Sequence, residues 1–504
     1  MASQQQAVDA FSTEHLHADL KGRSIRGGVW TITAQGVQFV MQSVSTIVLA
    51  RLLLPADFGL VAMVTSITGL GQAFADLGLS EATIQHPEIS HKQISNLFWI
   101  NFAIGLLLTS ITAALGPFLA WFYHEPVIRN IAFVTSLTFV IGGLRVQHDA
   151  LLRRQMRFKA LAVRDVVACT LAVPFAIFLA WRGAGYWAIV AMPLALNGIQ
   201  MLLSWGTVRW IPSLPRRGAG VRSMITFGGN IAISYLIFTV NGNADNVLVG
   251  WYWGAGPLGL YSRAYNLLML PVRQLGGPAR SVAIPAFSRV QDEPERLAHF
   301  YLRATNLIMW IAAPIFGFLF VAAVPVIVLA LGQRWEAAAP VFQILAIVAL
   351  GQLLLESVLW LFVSRGQSGR LLKLLAWISP ILIGSYAVGL RFGIKGVALS
   401  GSLALIGIFP WILKFTFRGT ALTLRRLAHS IKYPIAATLS GVIGAEAIVH
   451  LAGTQHSMIQ QLSMTGIGFG LGFASVLLIP SIRRELMSLR NLLNDAYPSN
   501  SPAA

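Results

Sequence analysis

Three arginines, Arg263, Arg273 and Arg280, sit in a stretch, YSRAYNLLMLPVRQLGGPARSVAIPAFSR (261–289), that otherwise has the apolar content of a membrane span. At about 100° per residue they fall within a helical arc of roughly 100°. An arginine at bilayer depth costs on the order of 2.5–3.5 kcal/mol, so it turns toward protein, a water-filled cavity or an anion. Snorkelling of Arg273 or Arg280 to the membrane rim is the alternative. Pro271, Pro278 and Pro285 recur every seven residues, with Gly276 and Gly277 between them. Such a helix is expected to bend or break, because each proline removes a backbone donor and crowds the preceding turn. A kinked cationic stripe in an apolar chain implies a polar cavity that handles something negative.

Other ionisable groups lie in apolar surroundings: Asp76, Arg145, His148, Asp149, Asp245 with Asn241, Asn243 and Asn246 around it, Glu356 and Glu446. Each is a functional candidate, since burying a charge unpaired is costly. Arg145 joins the span arginines as an anion-binding candidate; Asp245, Glu356, Asp76 and Asp149 are candidates for a coupling ion. A structural pair stands beside each reading: Asp149 with a neighbouring arginine, or Asp245 with one of the stripe. Asp76 could instead accept from backbone donors of the adjoining loop, and Glu446 with His450 lies toward a rim, where solvation suffices.

Enzymatic constellations are missing. There is no G-x-x-x-x-G-K-[ST] phosphate loop, no H-E-x-x-H, no G-x-S-x-G and no Asp-x-Asp pair. Asp57-Phe58-Gly59 spells a kinase triplet without a glycine-rich loop or H-R-D, and reads as a turn after Pro55. The one cysteine, Cys169, can build neither a disulfide nor a thiolate metal site within the chain. No cofactor or metal is implied.

The elements that must position these groups are membrane helices. The 504 residues are 56% hydrophobic and 11% charged, against about 25% charged in soluble proteins. Apolar runs of about 20 residues mark roughly 14 spans, centred near Gln38, Ser66, Leu108, Leu137, Leu171, Pro193, Ile237, Leu270, Phe316, Ala349, Leu382, Leu405, Gly441 and Phe469. About 27 of the 37 Lys and Arg fall in the segments on one side of these spans and about 6 on the other. That asymmetry predicts cytoplasmic termini and explains most of the +18 net charge, leaving nothing for a nucleic-acid partner to explain. The polar first 20 residues read as a surface tail and lack the form of a cleaved signal peptide.

An internal repeat is visible. SIRGGVWTITAQ before the first span and LPADFGLVAM at the second parallel SMITFGGNIAIS before the seventh and GAGPLGLYSRA at the eighth. LLRRQMRFKAL after the fourth span parallels FVSRGQSGRLL after the tenth. The expected architecture is all-α and polytopic: a tail (1–22), a six-helix lobe (23–215), a second lobe (216–418), two extra helices (419–482) and a terminal tail (483–504). Parallel repeats imply a pseudo-twofold along the membrane normal, with a path between the lobes. GIGFGLG in the last span has the small-residue spacing of close helix packing.

FADLGLSEATIQHPEISHKQISNLFWINFAIG, LRRQMRF and YSRAYNLLMLPVRQLGGPARSVAIPAFSRVQDEPER closely resemble the Wzx-type polysaccharide repeat-unit flippases. The likeness is strongest to their colanic-acid and exopolysaccharide branch, within the multidrug/oligosaccharidyl-lipid/polysaccharide exporter superfamily. It covers roughly residues 23–418. The resemblance implies a two-lobed inner-membrane transporter with a central, laterally opening cavity. It implies as substrate an undecaprenyl-pyrophosphate-linked oligosaccharide, with membrane lipid and a polysaccharide polymerase and chain-length machinery as partners. In the similar lipid II flippases two extra helices receive the lipid tail, and the last two spans here could do the same. A pyrophosphate suits arginine forks. Trp251, Tyr252, Trp253, Tyr261 and Tyr265 are candidate sugar walls, or else interfacial belt residues. The rival readings are a drug or cation exporter of the same superfamily, which would favour carboxylates over an arginine stripe, a membrane-embedded glycan transferase, and a passive scaffold.

Overall fold

The computed structural model describes residues 20–75, 79–85, 89–215, 242–453, 456–485 and 487. Every regular element among them is helical. The chain divides into two compact units, 1–259 and 260–504. The lobe boundary expected at residue 216 opens a stretch, 216–241, outside the described residues.

The first unit holds α1 (Leu20–Leu52), α2 (Pro55–Ala75), α3 (Leu79–Gln85), α4 (His91–Tyr123), α5 (Ile128–Arg154), α6 (Phe158–Trp181), α7 (Tyr186–Val208) and α8 (Ala244–Trp253). Then α9 (Ala255–Ser288) begins, at the end of this unit. The second unit continues with α10 (Pro294–Val321), α11 (Ala323–Leu331), α12 (Ala339–Ser364), α13 (Ser368–Gly389), α14 (Gly393–Phe417), α15 (Leu424–Ala452) and α16 (Met458–Leu477). Among the described residues, nine stretches are long and apolar enough to cross a membrane, and one of them, Ser368–Phe417, covers both α13 and α14. All the expected span centres fall inside helices except Ile237, which lies outside the described residues.

Local signals set several boundaries. Ser90 with Gln93 and Ser457 with Gln460 form capping boxes that start α4 and α16. Thr423 caps α15 by accepting from the Arg426 amide. In the first unit α5 packs on α2, α4 and α7, and α6 packs on α1 and α7. In the second, α10 packs on α12 and α15, and α14 on α12 and α13.

The small-residue seam expected in the last span is present. A Cβ at Gly468 would strike the Gly444 carbonyl and Ala445, and one at Gly472 would strike the Ser440 carbonyl and Gly441. Only glycine lets α15 and α16 approach so closely. A second close approach occurs within the first unit. A Cβ at Gly59 would collide with the Ala255 carbonyl, and one at Gly259 with the Pro55 carbonyl. The starts of α2 and α9 therefore touch backbone to backbone.

The two loops that look alike in sequence share one backbone form. After α5, Gln155 ends the helix, Met156 takes a left-handed φ of 53° and Arg157 (φ −81°, ψ 51°) starts α6. After α12, Arg365 ends the helix, Gly366 takes φ 63° and Gln367 (φ −94°, ψ 43°) starts α13. Both turns close by the same hydrogen bonds: Met156 N to Arg153 O and Arg157 N to Leu152 O, against Gly366 N to Val363 O and Gln367 N to Phe362 O.

Of the two outcomes expected for the triple-proline segment, the break does not occur: the segment is a single continuous helix, α9, of 34 residues. The seven-residue spacing puts Pro271, Pro278 and Pro285 within about 40° of one another, so the lost hydrogen bonds lie along one side and the other side of the ladder stays intact.

Candidate functional site

In the first unit three helices each contribute neighbouring polar residues to one cluster. α5 brings Arg145 and Asp149, one turn apart; α6 brings Arg164 and Asp165; α7 brings Gln200 and Ser204, again one turn apart. Arg164 donates to Asp149, to Ser204 (3.0 Å) and to Asp165 (2.6 and 2.9 Å). Ser204 donates to Asp149 at 2.7 Å, and Gln200 to Asp165 at 2.9 Å. Arg145 donates to Gln200 and lies 3.3 Å from Asp149. Two cations meet two anions, and the Arg164 side chain is only 8% exposed. The charges neutralise one another inside the unit.

His148, beside this cluster, is fully buried in an aromatic box. It stacks on Trp205 at 4.4 Å and pairs with the Trp210 carbonyl at 3.1 Å. Trp99 donates to the Ser213 carbonyl and Ser213 N donates to Ser95. These contacts strap residues 209–213 onto α4 and α5. Arg154 is buried as well and donates to the Thr83 carbonyl at the end of α3, where a cation suits the negative helix terminus.

The second unit treats its charges differently. Arg280 of α9 meets Glu356 of α12 at 2.8 Å, with 46% and 22% of the side chains exposed. Arg273 is exposed and has no side-chain partner among the described residues. Arg263 is half-buried. In the turn that opens α13, burial and then the nearby Arg370 lower the Arg365 pKa from its ordinary value. Arg370 itself donates to the Phe415 carbonyl and lies over the Phe415 ring at 5.2 Å.

The remaining candidates separate. Asp245 is buried in the first turn of α8, and its Oδ1 accepts from the Asn246 amide at 2.8 Å. Asp76 lies outside the described residues. Glu446 and His450 are exposed, consistent with solvated rim groups. Trp251, Tyr252 and Trp253 are exposed, while Tyr261 is buried and belongs to the core. Arg164, Asp165, Gln200 and Ser204 were not singled out from the sequence. The one-turn spacing of Gln200 and Ser204 in an apolar helix is the signal that could have found them.

The fold these elements make is that of membrane exporters. The structure is similar to the lipid II flippase MurJ in its inward closed conformation, with a TM-score of 0.70 and 12% identity over 91% of this chain and 99% of that one. It is also similar to an inward-facing multidrug resistance transporter of the MATE family, with a TM-score of 0.57 and 13% identity over 76% and 96%. The chain belongs to the polysaccharide biosynthesis protein family, whose model matches residues 48–340. Relatives include the teichuronic acid biosynthesis protein TuaB of Bacillus subtilis, 24% identical over 88% of this chain and 92% of that one. The succinoglycan biosynthesis transport protein ExoT of Rhizobium meliloti is 23% identical over 94% and 96%. The lipopolysaccharide biosynthesis protein WzxC of Escherichia coli is 25% identical over 66% and 68%. This is a multi-pass membrane protein of polysaccharide biosynthesis.

Proposed function

We propose that the chain is a flippase, a transporter rather than an enzyme, that moves an undecaprenyl-pyrophosphate-linked oligosaccharide across the bacterial inner membrane. Family membership supports the polysaccharide, and the fold shared with a lipid II flippase supports a lipid-borne cargo. The observation that carries the site is the contrast in charge. The described arginines of the α5–α7 cluster are neutralised by carboxylates, whereas exposed Arg273 has no side-chain partner among the described residues. An apolar chain that keeps an uncompensated cation in such a helix has a use for it. Arg273, with Arg263 and Arg280, binds the pyrophosphate; the pairing of Arg145 with Asp149 gives those two a structural role instead.

Coupling follows from the Arg280–Glu356 pair. Arg280 can serve the carboxylate or the phosphate. Transfer of Arg280 to the phosphate frees Glu356 to take a proton, and Asp245 is the second candidate for the ion. Both termini are cytoplasmic, the two six-helix lobes (23–215 and 216–418) alternate access, and the polymerase and chain-length machinery take the product.

The test is export in cells lacking the native transporter. Arg273→Ala abolishes polysaccharide export at unchanged membrane abundance, and Arg273→Lys is impaired because a point charge replaces a bidentate fork. Full export by the Ala variants of both Arg263 and Arg273 would falsify the site. In vesicles with an imposed gradient, Glu356→Gln and Asp245→Asn that respond as the parent does would remove the coupling assignment.

A further inference from the structure

A cleft of about 450 Å³ lies between the start of α6 and the end of α7, away from the α9 stripe in sequence and in composition. Arg157 and Lys159 stand at its mouth, both exposed. Val163, Val167 and Leu203 form its apolar wall, with Arg164 and Thr207 completing the lining. Val163 and Val167 are one helical turn apart on α6, so the wall runs along the helix into the membrane-spanning part. Val163 is 47% exposed.

Among the described residues no carboxylate lines this cleft. Asp149 and Asp165, the acids that Arg164 of the lining meets, are held by Arg164, Arg145, Ser204 and Gln200. Among the described residues no carboxylate pairs with Arg157 or Lys159. Arg157 donates to the Thr207 carbonyl, at 3.4 Å. Lys159 lies 5.3 Å over the ring of Trp30, a partly exposed tryptophan on α1. Tryptophans at membrane-helix ends sit at headgroup level, which sets the depth of the cleft mouth. The segment from Arg153 to Arg164 carries five Lys and Arg (Arg153, Arg154, Arg157, Lys159, Arg164), so the charge bias places it at the cytoplasmic leaflet.

We propose that this cleft is a site for one anionic phospholipid of the cytoplasmic leaflet. Arg157 and Lys159 hold the phosphate, and the upper acyl chain lies along Val163, Val167 and Leu203. Basic pockets between membrane helices on the cytoplasmic side are recognised settings for anionic headgroups. The apolar wall distinguishes a phospholipid from free phosphate, which has no use for it.

The test uses the purified full-length protein in nanodiscs of phosphatidylcholine with a minor share of phosphatidylglycerol. Native mass spectrometry counts the lipids retained on release. The parent retains phosphatidylglycerol over phosphatidylcholine. The Arg157→Ala/Lys159→Ala double variant lowers that preference roughly tenfold or more. Val163→Trp, which keeps both charges and fills the apolar wall, lowers it too. Added inorganic pyrophosphate leaves the bound lipid in place. A parent without preference, or a double variant that keeps it, overturns the proposal. Displacement by pyrophosphate together with an unchanged Val163→Trp variant would make the cleft a plain anion site instead. Should the double variant fail to reach the membrane, Val163→Trp and the pyrophosphate competition decide alone.

Discussion

The two units handle intramembrane charge in opposite ways. Between α5, α6 and α7, two arginines and two aspartates close on one another, with a glutamine and a serine filling the remaining valences. On α9, Arg273 is exposed and Arg280 shares one half-open pair with Glu356. A closed neutral cluster can hold three helices together but has no charge left to offer a ligand. An open cationic row contributes little to holding helices together and is available for an anion. The difference teaches that ionisable residues in a membrane chain are sorted by what surrounds them, not by type.

This contrast predicts that effects on stability and on export run in opposite orders. The largest stability effect belongs to Arg164→Ala, which leaves Asp149 and Asp165 without their main partner. Breaking a buried pair from one side costs on the order of 3–5 kcal/mol. Little folded protein should survive detergent extraction, as read by size-exclusion chromatography after heating. Wild-type thermal stability in that variant would break the comparison at its stronger end. Arg145→Ala comes next, at about 1–3 kcal/mol, because Asp149 keeps Arg164 and Ser204. If Arg145→Ala instead stops export with no shift in melting, Arg145 belongs with the pyrophosphate-binding residues after all. Arg280→Ala is smaller still. Its side chain is nearly half exposed, and such pairs contribute about 0–1 kcal/mol. A double-mutant cycle with Glu356→Gln measures that coupling, while the export assay shows a clear loss. Arg273→Ala has the smallest effect on melting, within about 0.5 kcal/mol, and the largest on export. Failure of Arg273→Ala to accumulate would place Arg273 among the structural charges.

Much of this was legible in the sequence because it depends on local patterns. Apolar runs gave the helices, and the glycine spacing around Gly468 the close packing of the last span. The likeness between residues 151–161 and 362–372 appears as two turns of the same backbone form. What the sequence could not show is which partner each charge takes. Asp149 meets Arg164 because α5 folds back onto α6, and Glu356 meets Arg280 across 76 positions of chain. Such pairings are set by helix packing and leave no period to read. The continuity of α9 was illegible for a related reason. Each proline taken alone argues for a bend or a break, and their common side is compatible with a helix that stays in one piece.

Gly59 and Gly259 carry a last consequence. Position 59 meets position 255, and position 259 meets position 55. At each place the backbone of the facing segment already fills the space a Cβ would need, so any side chain at position 59 or 259 would wedge the starts of α2 and α9 apart.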